Sequence, residues 1–136
     1  MNDPTLRLVG RVRSDLRDLA DAPRQGSEGA PDAWIDLDEA FAAALEGVAA
    51  GDALVLVTWL DRADRSVLTT HPRNDRSLPL AGVFATRSPD RPNPLGLHRV
   101  TVRSIDGTRL RVGPLEAVDG TPIVDLKPVL PDSLDA

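Results

Sequence analysis

The chain has 136 residues, of which 41% are hydrophobic, a size that suits one globular domain with a modest core. It contains no cysteine, which excludes disulfides, thiolate zinc sites, iron–sulfur clusters and a thiol nucleophile, and with only His71 and His98 we expect no other metal site. The formal net charge of -5 disfavours a nucleic-acid partner. Residues 62–111, however, hold ten arginines and four acidic residues, a local balance of +6. This basic stretch leaves two interpretations open, contact with phosphates and a merely solvated surface.

The first elements in chain order are a strand and a long loop. The opening residues lack a charged segment followed by an apolar one, and no apolar run reaches about 18 residues, so we expect a cytosolic protein that does not enter the membrane. Imperfect alternation of apolar residues predicts a strand over residues 5–12. Residues 13–31 are polar and bear Gly and Pro, which indicates a long loop of the kind that is usually functional or disordered.

One helix and several short strands follow. Residues 38–48 have apolar side chains at helical spacing, which predicts the one main α-helix. The later segments predicted as strands are residues 53–60, 82–86, a hairpin of 100–105 with 110–112, and 121–126. We therefore predict a mostly β fold, a small antiparallel β-barrel with one main α-helix, as a single domain over residues 1–136.

Residues 82–97, GVFATRSPDRPNPLGL, contain three closely spaced prolines and no periodic apolar face. Each proline fixes its own backbone angle and restricts the residue before it, so the segment is stiff for a loop. Stiffness lowers the ordering cost of binding and fixes the positions of Arg87, Arg91 and Asn93. We favour recognition of a polar ligand over the alternative, a barrel crossover in which these arginines satisfy local carbonyls.

Near the end of the chain, three charged residues have plainer interpretations when their spacing alone is considered. Asp119 precedes a glycine, and this pair is typical of a turn because Asp tolerates left-handed geometry. Asp125 and Lys127 are two apart on a predicted strand, so they project to the same side and are placed to form an ion pair. For all three, spacing alone favours a structural role.

Other signals are weak when each is taken alone. Residues 22–26, APRQG, offer donors on a path that proline constrains. We interpret Trp34 and Trp59 as core aromatics rather than stacking platforms, and both histidines as structural or exposed rather than proton carriers. The sequence has no dinucleotide-binding glycine fingerprint, no Walker A motif and no nucleophile elbow, so a nucleotide-like cofactor would have to bind on a β scaffold.

Two long motifs resemble a known family. Residues 82–97 and residues 119–131, DGTPIVDLKPVLP, are similar to the TsaA-like domain of the tRNA N6-threonylcarbamoyladenosine methyltransferases, known as TrmO. Residues 9–14 and 23–26 are shorter matches in the same order, and together the motifs extend over most of the chain. The resemblance implies a small β-barrel that binds S-adenosylmethionine (SAM) without a Rossmann fold. It also implies a homodimer with its site near the interface, which methylates the modified adenosine beside the tRNA anticodon.

The resemblance further implies roles for particular residues. Those that would bind the cofactor are Pro23, Arg24, Gln25, Arg87, Leu97, Gly113, Pro114, Leu115 and Glu116. Those that would shape the reaction centre, where a carboxylate takes the departing proton or orients the acceptor, are Asp119, Asp125 and Lys127. The residues expected to bind the substrate, the anticodon loop of tRNA, are Arg91 and Asn93.

Three departures from the family pattern bear on the substrate. Residues 59–61, WLD, stand where many relatives have an aromatic–histidine pair, and Val129 follows Lys127-Pro128 where the family often has tyrosine. The sequence also ends without the additional C-terminal domain of the longer tRNA enzymes. Two other functions therefore stay open, namely a non-catalytic SAM-binding module and a SAM-dependent methyltransferase of a small molecule.

Overall fold

β-Strands dominate the computed structural model, which describes residues 3–18, 20, 22–23 and 29–131. The strands are β1 Gly10–Arg13, β2 Ala33–Leu37, β3 Ala53–Trp59, β4 Thr69–Thr70, β5 Ala81–Gly82, β6 Leu95–Asp106, β7 Arg109–Gly113 and β8 Pro122–Pro128. Short 3-10 helices span Glu39–Leu45, Pro72–Asn74 and Val83–Ala85.

Six strands form a closed barrel in the order β1-β2-β7-β6-β3-β8, with β1 also paired to β8. Every neighbouring pair in the barrel is antiparallel. Strands β4 and β5 pair separately as a two-stranded arm within the long connection between β3 and β6. The mostly β fold and the antiparallel barrel predicted from the sequence are thus confirmed.

Alternation along each strand explains how the barrel encloses its core. In β3, Leu54 and Leu56 point inward and are buried, whereas Val55 and Val57 point outward and are partly exposed. The same alternation in the other strands fills the interior with aliphatic side chains: Val12, Ala33, Ile35, Leu37, Val100, Val102, Leu110, Val112 and Ile123. Fully burying one such side chain contributes about 1.5–3 kcal/mol, so this interior is the main source of stability.

Strand direction brings three connections to one end of the barrel. Because neighbours are antiparallel, β1, β3 and β7 end where β2, β6 and β8 begin. The connections that leave this end, named here the loop end, are residues 14–32, 60–94 and 114–121. The opposite end carries the Glu39–Leu45 helix and the tight turn between β6 and β7. Most of the residues that the sequence analysis singled out therefore lie in connections at the loop end.

The predicted α-helix is wrong in type. Glu39–Leu45 is a 3-10 helix, and Asp38 caps it by accepting a hydrogen bond from Ala40 N at 2.9 Å. Both helix periods, 3.0 and 3.6 residues, place side chains three residues apart on roughly the same side, so a short apolar pattern did not separate the two helix types. The apolar face was identified correctly, because Leu45 and Val48 pack against the core.

Several strand boundaries also differ from those predicted. The strand predicted at residues 5–12 is only Gly10–Arg13, because Leu6 and Leu8 are exposed, and of the apolar residues in that range only Val9 and Val12 pack in or against the core. Strand β2 was not predicted, since five residues provide little pattern. Residues 82–86 are mostly a 3-10 helix after the short β5, whereas the predicted hairpin and final strand are confirmed with longer strands.

Candidate functional site

Residues 86–94, named here the proline loop, lead directly into β6 and are held in place by the turn that follows β3. Arg65 donates from Nε to the carbonyl oxygen of Pro92 at 2.7 Å and from Nη2 to Oδ1 of Asn93 at 3.1 Å. The Asp64 N–H donates to Oδ1 of Asp90 at 2.9 Å. The side-chain oxygen of Asn93 therefore accepts a hydrogen bond from Arg65. Its side-chain nitrogen is the group that would contact the substrate in the predicted role.

Two arginines of the proline loop differ sharply in their surroundings. Arg91 is half-buried and donates to three carbonyl oxygens, from Nη1 to those of Thr86 and Ser88 and from Nη2 to that of Val83, each at 2.9 Å. Arg87 is exposed, and no described residue forms a hydrogen bond or ion pair with its guanidinium. Arg91 thus stabilises the loop, while Arg87 is available to a ligand. The predicted contact of Arg91 with substrate stays a prediction.

The turn beside the proline loop is itself preorganised. Asp64 accepts hydrogen bonds from the Ser66 hydroxyl at 2.6 Å and the Ser66 N–H at 2.8 Å, and these bonds lower the pKa of its carboxyl. Arg65 lies over the ring of Trp59 at 5.0 Å from the centroid. The carboxylate is therefore charged at neutral pH, and the turn offers a rigid support for the arginine that fixes the proline loop.

Asp119, predicted to shape the reaction centre, holds two connections of the loop end together. Its Oδ1 accepts from the Ser14 N–H at 3.0 Å, and its Oδ2 lies 3.4 Å from Nη1 of Arg17. The Asp119 N–H donates to the carbonyl oxygen of Leu16 at 2.6 Å. Both carboxylate oxygens are thus engaged with residues 14–17, and the geometry gives Asp119 a positioning function at the loop end.

The other two residues predicted for the reaction centre lie elsewhere. Asp125 and Lys127 form an ion pair of 3.4 Å on the outer face of β8, as their spacing predicted. Along β8 at about 3.3 Å per residue, Lys127 is on the order of 16 Å beyond the first residue of the strand. Leu97 is on the same outer face, since both Leu97 and Asp125 pair with Val57. Within one copy of the chain, Lys127 is therefore not brought together with Asp119.

The remaining residues expected to bind the cofactor divide between the described and undescribed parts of the chain. Pro23 is half-buried, while Arg24 and Gln25 lie outside the described residues. Gly113 ends β7 against Asp32, whose side-chain Oδ1 would stand 1.7 Å from an added Cβ, so a larger residue there would have to displace the Asp32 side chain. After the half-buried Pro114, Leu115 is fully buried and donates its N–H to the carbonyl oxygen of Pro31 at 2.9 Å.

Glu116, predicted to bind the cofactor, belongs to a polar chain inside the barrel mouth whose other members, Thr58 and His98, were not predicted as site residues. The hydroxyl oxygen of Thr58 lies 2.7 Å from Nε2 of His98, and Nδ1 of His98 lies 2.5 Å from Oε1 of Glu116. Thr58 and His98 are inward-facing residues of β3 and β6, and Glu116 approaches from residues 114–121. In the sequence, the one sign of this polar chain was His98, a histidine on the inward side of an otherwise apolar strand. Its partners Thr58 and Glu116 are distant in sequence, so the contacts could not be predicted.

The interpretation of both tryptophans as core aromatics is wrong. Trp34 and Trp59 are partly exposed on the outer face, because each alternates with inward-facing residues of its strand. Arg109 lies over Trp34 at 4.7 Å from the ring centroid, as Arg65 does over Trp59 at 5.0 Å. Both rings are therefore covered by guanidinium groups rather than by the core.

In the part of the chain that the structure describes, no group of three or more His, Cys, Asp or Glu is placed to hold a metal ion. Nor does any described helix have the length and apolar character needed to cross a bilayer.

A surface depression of about 380 Å³ lies on the arm, lined by Thr69, Thr70, His71, Asn74, Arg76 and Leu80. It contains none of the predicted site residues, and its open, polar walls do not resemble a cofactor pocket.

The chemistry available at the loop end suits a zwitterionic nucleoside such as SAM. Its carboxylate requires a cation, and Arg87 is exposed and uncommitted. Its ammonium and ribose hydroxyls require acceptors, and Glu116 is a carboxylate beside the buried His98. Arg87 and Glu116 thus offer one positive and one negative side chain at the loop end.

Comparison with known proteins agrees with this chemistry. Residues 11–136 match the tRNA-methyltransferase O N-terminal domain family. A probable S-adenosyl-L-methionine-binding protein, VirR, from Rhizobium radiobacter is 37% identical over 93% of this chain and 71% of its own length. Another probable S-adenosyl-L-methionine-binding protein, from Methanothermobacter thermautotrophicus, is 38% identical over 97% of this chain and 96% of its own.

A solved structure gives the same fold. The crystal structure of TrmO from Pseudomonas aeruginosa superposes with a TM-score of 0.77 and 28% sequence identity over 99% of this chain. The chain spans 60% of the length of that solved protein. Together, the family match over residues 11–136 and the shared fold show that this chain belongs to the tRNA-methyltransferase O N-terminal domain family.

Proposed function

We propose that this chain is a cytosolic SAM-dependent methyltransferase whose loop end binds the cofactor. The observation that carries the proposal is the convergence of three connections at one end of the barrel, where Arg87 is exposed and no described residue forms a hydrogen bond or ion pair with it. Membership of the family and the names of the relatives support the identity of the ligand. The proposed cofactor-binding residues remain Pro23, Arg24, Gln25, Arg87, Leu97, Gly113, Pro114, Leu115 and Glu116.

Catalysis of this kind depends mainly on positioning. SAM, when bound, supplies a methyl group on a sulfonium centre, so the chain needs no covalent nucleophile. Its own residues hold the acceptor in line with that group and exclude water, which accounts for most of the acceleration in such a displacement. Arg91 and Arg65 fix the proline loop for this purpose, and Asp119 fixes residues 14–17 beside it.

We further propose that the acceptor is N6 of threonylcarbamoyladenosine beside the tRNA anticodon. The family name and the arginine-rich residues 62–111 support a tRNA substrate. A base in a single-stranded loop is splayed out at little unstacking cost and is recognised by stacking and edge contacts. In this proposal Arg91 and Asn93 support the substrate side of the site through the loop that they stabilise.

A homodimer would resolve the separation of the proposed reaction-centre residues. Leu95 and Leu97 are 43% and 53% exposed on the outer face, beside the half-buried Val57 and Trp59 of β3. An apolar strip of this kind favours contact with a second copy. We propose that such contact brings Asp125 and Lys127 of one copy to the loop end of the other.

The cofactor part of the proposal is tested by isothermal titration calorimetry with SAM. We expect Arg87→Ala to weaken binding about tenfold or more, because a charge-assisted hydrogen bond to the ligand carboxylate is lost. Arg76→Ala removes an exposed arginine of the arm and is the matched control, with affinity unchanged. An Arg87→Ala variant that binds SAM as tightly as the wild type would move the site elsewhere.

The substrate part is tested by mass spectrometry of anticodon-loop nucleosides from a deletion strain. We expect loss of N6-methyl-threonylcarbamoyladenosine and its return when the wild-type gene is restored. Unchanged methylation, together with intact SAM binding by the purified protein, would reject tRNA as the substrate. That result would favour a non-catalytic SAM-binding module or a methyltransferase of a small molecule.

A further inference from the structure

The polar chain of Thr58, His98 and Glu116 occupies a place where a barrel of this size normally has only apolar side chains. Thr58 is 0% exposed, His98 is 6% exposed and the Glu116 side chain is 14% exposed. Burying a polar group costs free energy unless it is hydrogen-bonded, and a partly satisfied polar network is less favourable than an apolar core. An aliphatic core would be simpler, so the presence of three polar side chains in contact requires an explanation.

The hydrogen bonds fix the histidine ring at both nitrogens. An ionised carboxylate only accepts, so Nδ1 of His98 carries a proton and donates to Oε1 of Glu116. The hydroxyl of Thr58 engages Nε2 on the other side of the ring at 2.7 Å. The orientation of the imidazole, and through it the position of the Glu116 carboxylate, is therefore set from the wall of the barrel.

Gly96 leaves the space that this arrangement needs. It lies two residues before His98 on the inward side of β6 and pairs with Thr58. A Cβ added at Gly96 would stand 2.5 Å from Oγ1 of Thr58 and 2.7 Å from Nε2 of His98. Any side chain there would therefore displace one of the two hydrogen-bonding partners.

The described residues use only one oxygen of the Glu116 carboxylate. Oε1 accepts from His98, and no described residue forms a hydrogen bond with Oε2. Among the described residues no buried side-chain oxygen or nitrogen lacks a partner, so Oε2 reaches solvent. The chain of hydrogen bonds thus begins in the barrel wall and ends in a fixed acceptor at the loop end.

We propose that His98 and Thr58 are positioning residues, which hold the side chain of Glu116, already among the proposed cofactor-binding residues, so that its Oε2 accepts a hydrogen bond from SAM. The inference rests on the proposed SAM site, and it assigns that site a side-chain acceptor supported from inside the barrel. The donor is either a ribose hydroxyl or the ammonium group of the ligand, since a carboxylate accepts from both.

Calorimetry with SAM tests the inference on the purified full chain. We expect Glu116→Gln to weaken SAM binding about tenfold or more, because the side chain loses its negative charge and one acceptor oxygen is replaced by an NH2 group, which only donates. Thr58→Val should weaken binding severalfold without touching the ligand, and Thr58→Ser, which keeps the hydroxyl, should restore it. Leu110→Ala opens a cavity in the core near the opposite end of the barrel and is the control for lost stability alone.

Histidine side-chain NMR provides a readout that general destabilisation would not reproduce. The chain has only two histidines, and His71, which is half-buried on the arm, serves as an internal reference. We expect SAM to shift the imidazole nitrogen signals of His98 and not those of His71, and we expect Thr58→Val to change the His98 signals before any ligand is added. A His98 spectrum that does not respond to SAM would overturn the positioning role.

The outcomes separate the inference from the proposal on which it depends. If the wild type does not bind SAM, the proposed function fails. If the wild type binds but Glu116→Gln and Thr58→Val bind equally well, the inference alone fails. If Glu116→Gln loses affinity equally for SAM and for 5′-methylthioadenosine, which lacks the amino acid, the contact is with the ribose. If Glu116→Gln loses affinity for SAM alone, the contact is with the ammonium group.

Discussion

Arg91 illustrates how one side chain can stabilise a segment with little regular structure. Its guanidinium donates to the carbonyl oxygens of Val83, Thr86 and Ser88, which lie on successive turns of the chain before the prolines. The planar group offers donors in a fixed geometry, so a single residue satisfies carbonyls that have no partner in a sheet. Arg87, four positions earlier, has no such role.

This difference predicts that the two arginines affect different properties. Replacing Arg91 by Ala should lower the free energy of unfolding by about 2 kcal/mol, because partly buried carbonyls lose charged donors. Arg91→Lys should recover only part of this, since an ammonium group cannot span three carbonyls. Urea denaturation provides the measurement, with Arg87→Ala as the control of unchanged stability. Equal stability of Arg91→Ala and the wild type would contradict the role assigned to Arg91.

At the residue scale, local spacing predicted some contacts and missed others for physical reasons. The Asp125–Lys127 ion pair follows from the two-residue period of a strand, and it forms. The contact between His98 and Glu116 joins residues 18 apart and depends on how residues 114–121 fold back over the barrel mouth. No local period encodes such a contact, so the sequence identified the strand of His98 and not its partners.

At the scale of elements, closure of the barrel depends on the close approach of β1 and β2. Gly10 pairs with Leu37, and a Cβ at Gly10 would stand 2.2 Å from the carbonyl oxygen of Asp36 and 2.9 Å from Cα of Leu37. Both neighbours are backbone atoms, which cannot rotate away. The glycine is therefore required by the packing of two strands and not by a turn.

Gly10→Ala should consequently destabilise the fold by about 3 kcal/mol or more, as the strands separate to admit a methyl group. Gly82→Ala is the matched control, because the nearest atom to its added Cβ is the carbonyl oxygen of Leu68 at 4.0 Å. We expect that control to lie within about 0.5 kcal/mol of the wild type. Thermal and urea unfolding followed by circular dichroism would measure both, and a stable Gly10→Ala protein would refute the close packing.

The reliability of element prediction followed the length of each pattern. Strand β3 was predicted at residues 53–60 and observed at Ala53–Trp59, because a continuous run of mostly apolar, β-branched residues leaves little ambiguity. Strand β2 has five residues and escaped prediction, although without it the barrel could not close. The proline loop was recognised by its composition, but its position at the loop end required the directions of all six strands.

At the scale of the whole molecule, the outer face of β6, β3 and β8 predicts the oligomeric state. Analytical ultracentrifugation should give the mass of a dimer for the wild type. Leu95→Asp places a charge in the apolar strip and should give a monomer, because the charge would be desolvated at the interface. Leu130→Asp changes another exposed leucine and should stay dimeric. A monomeric wild type, or a dimeric Leu95→Asp variant, would reject this face as the interface.

The pairing of β1 with β8 has a consequence for how the protein is made. The ring of strands is completed by Gly10 against Ile123, residues that are more than a hundred positions apart. Contacts between such distant positions slow folding, because a long stretch of chain must be ordered before they form. During synthesis β1 cannot pair with β8 until β8 has been made, so the nascent chain exposes an unpaired strand edge until residue 128 has left the ribosome. Factors that bind nascent chains should therefore influence the yield of this protein more than its final stability.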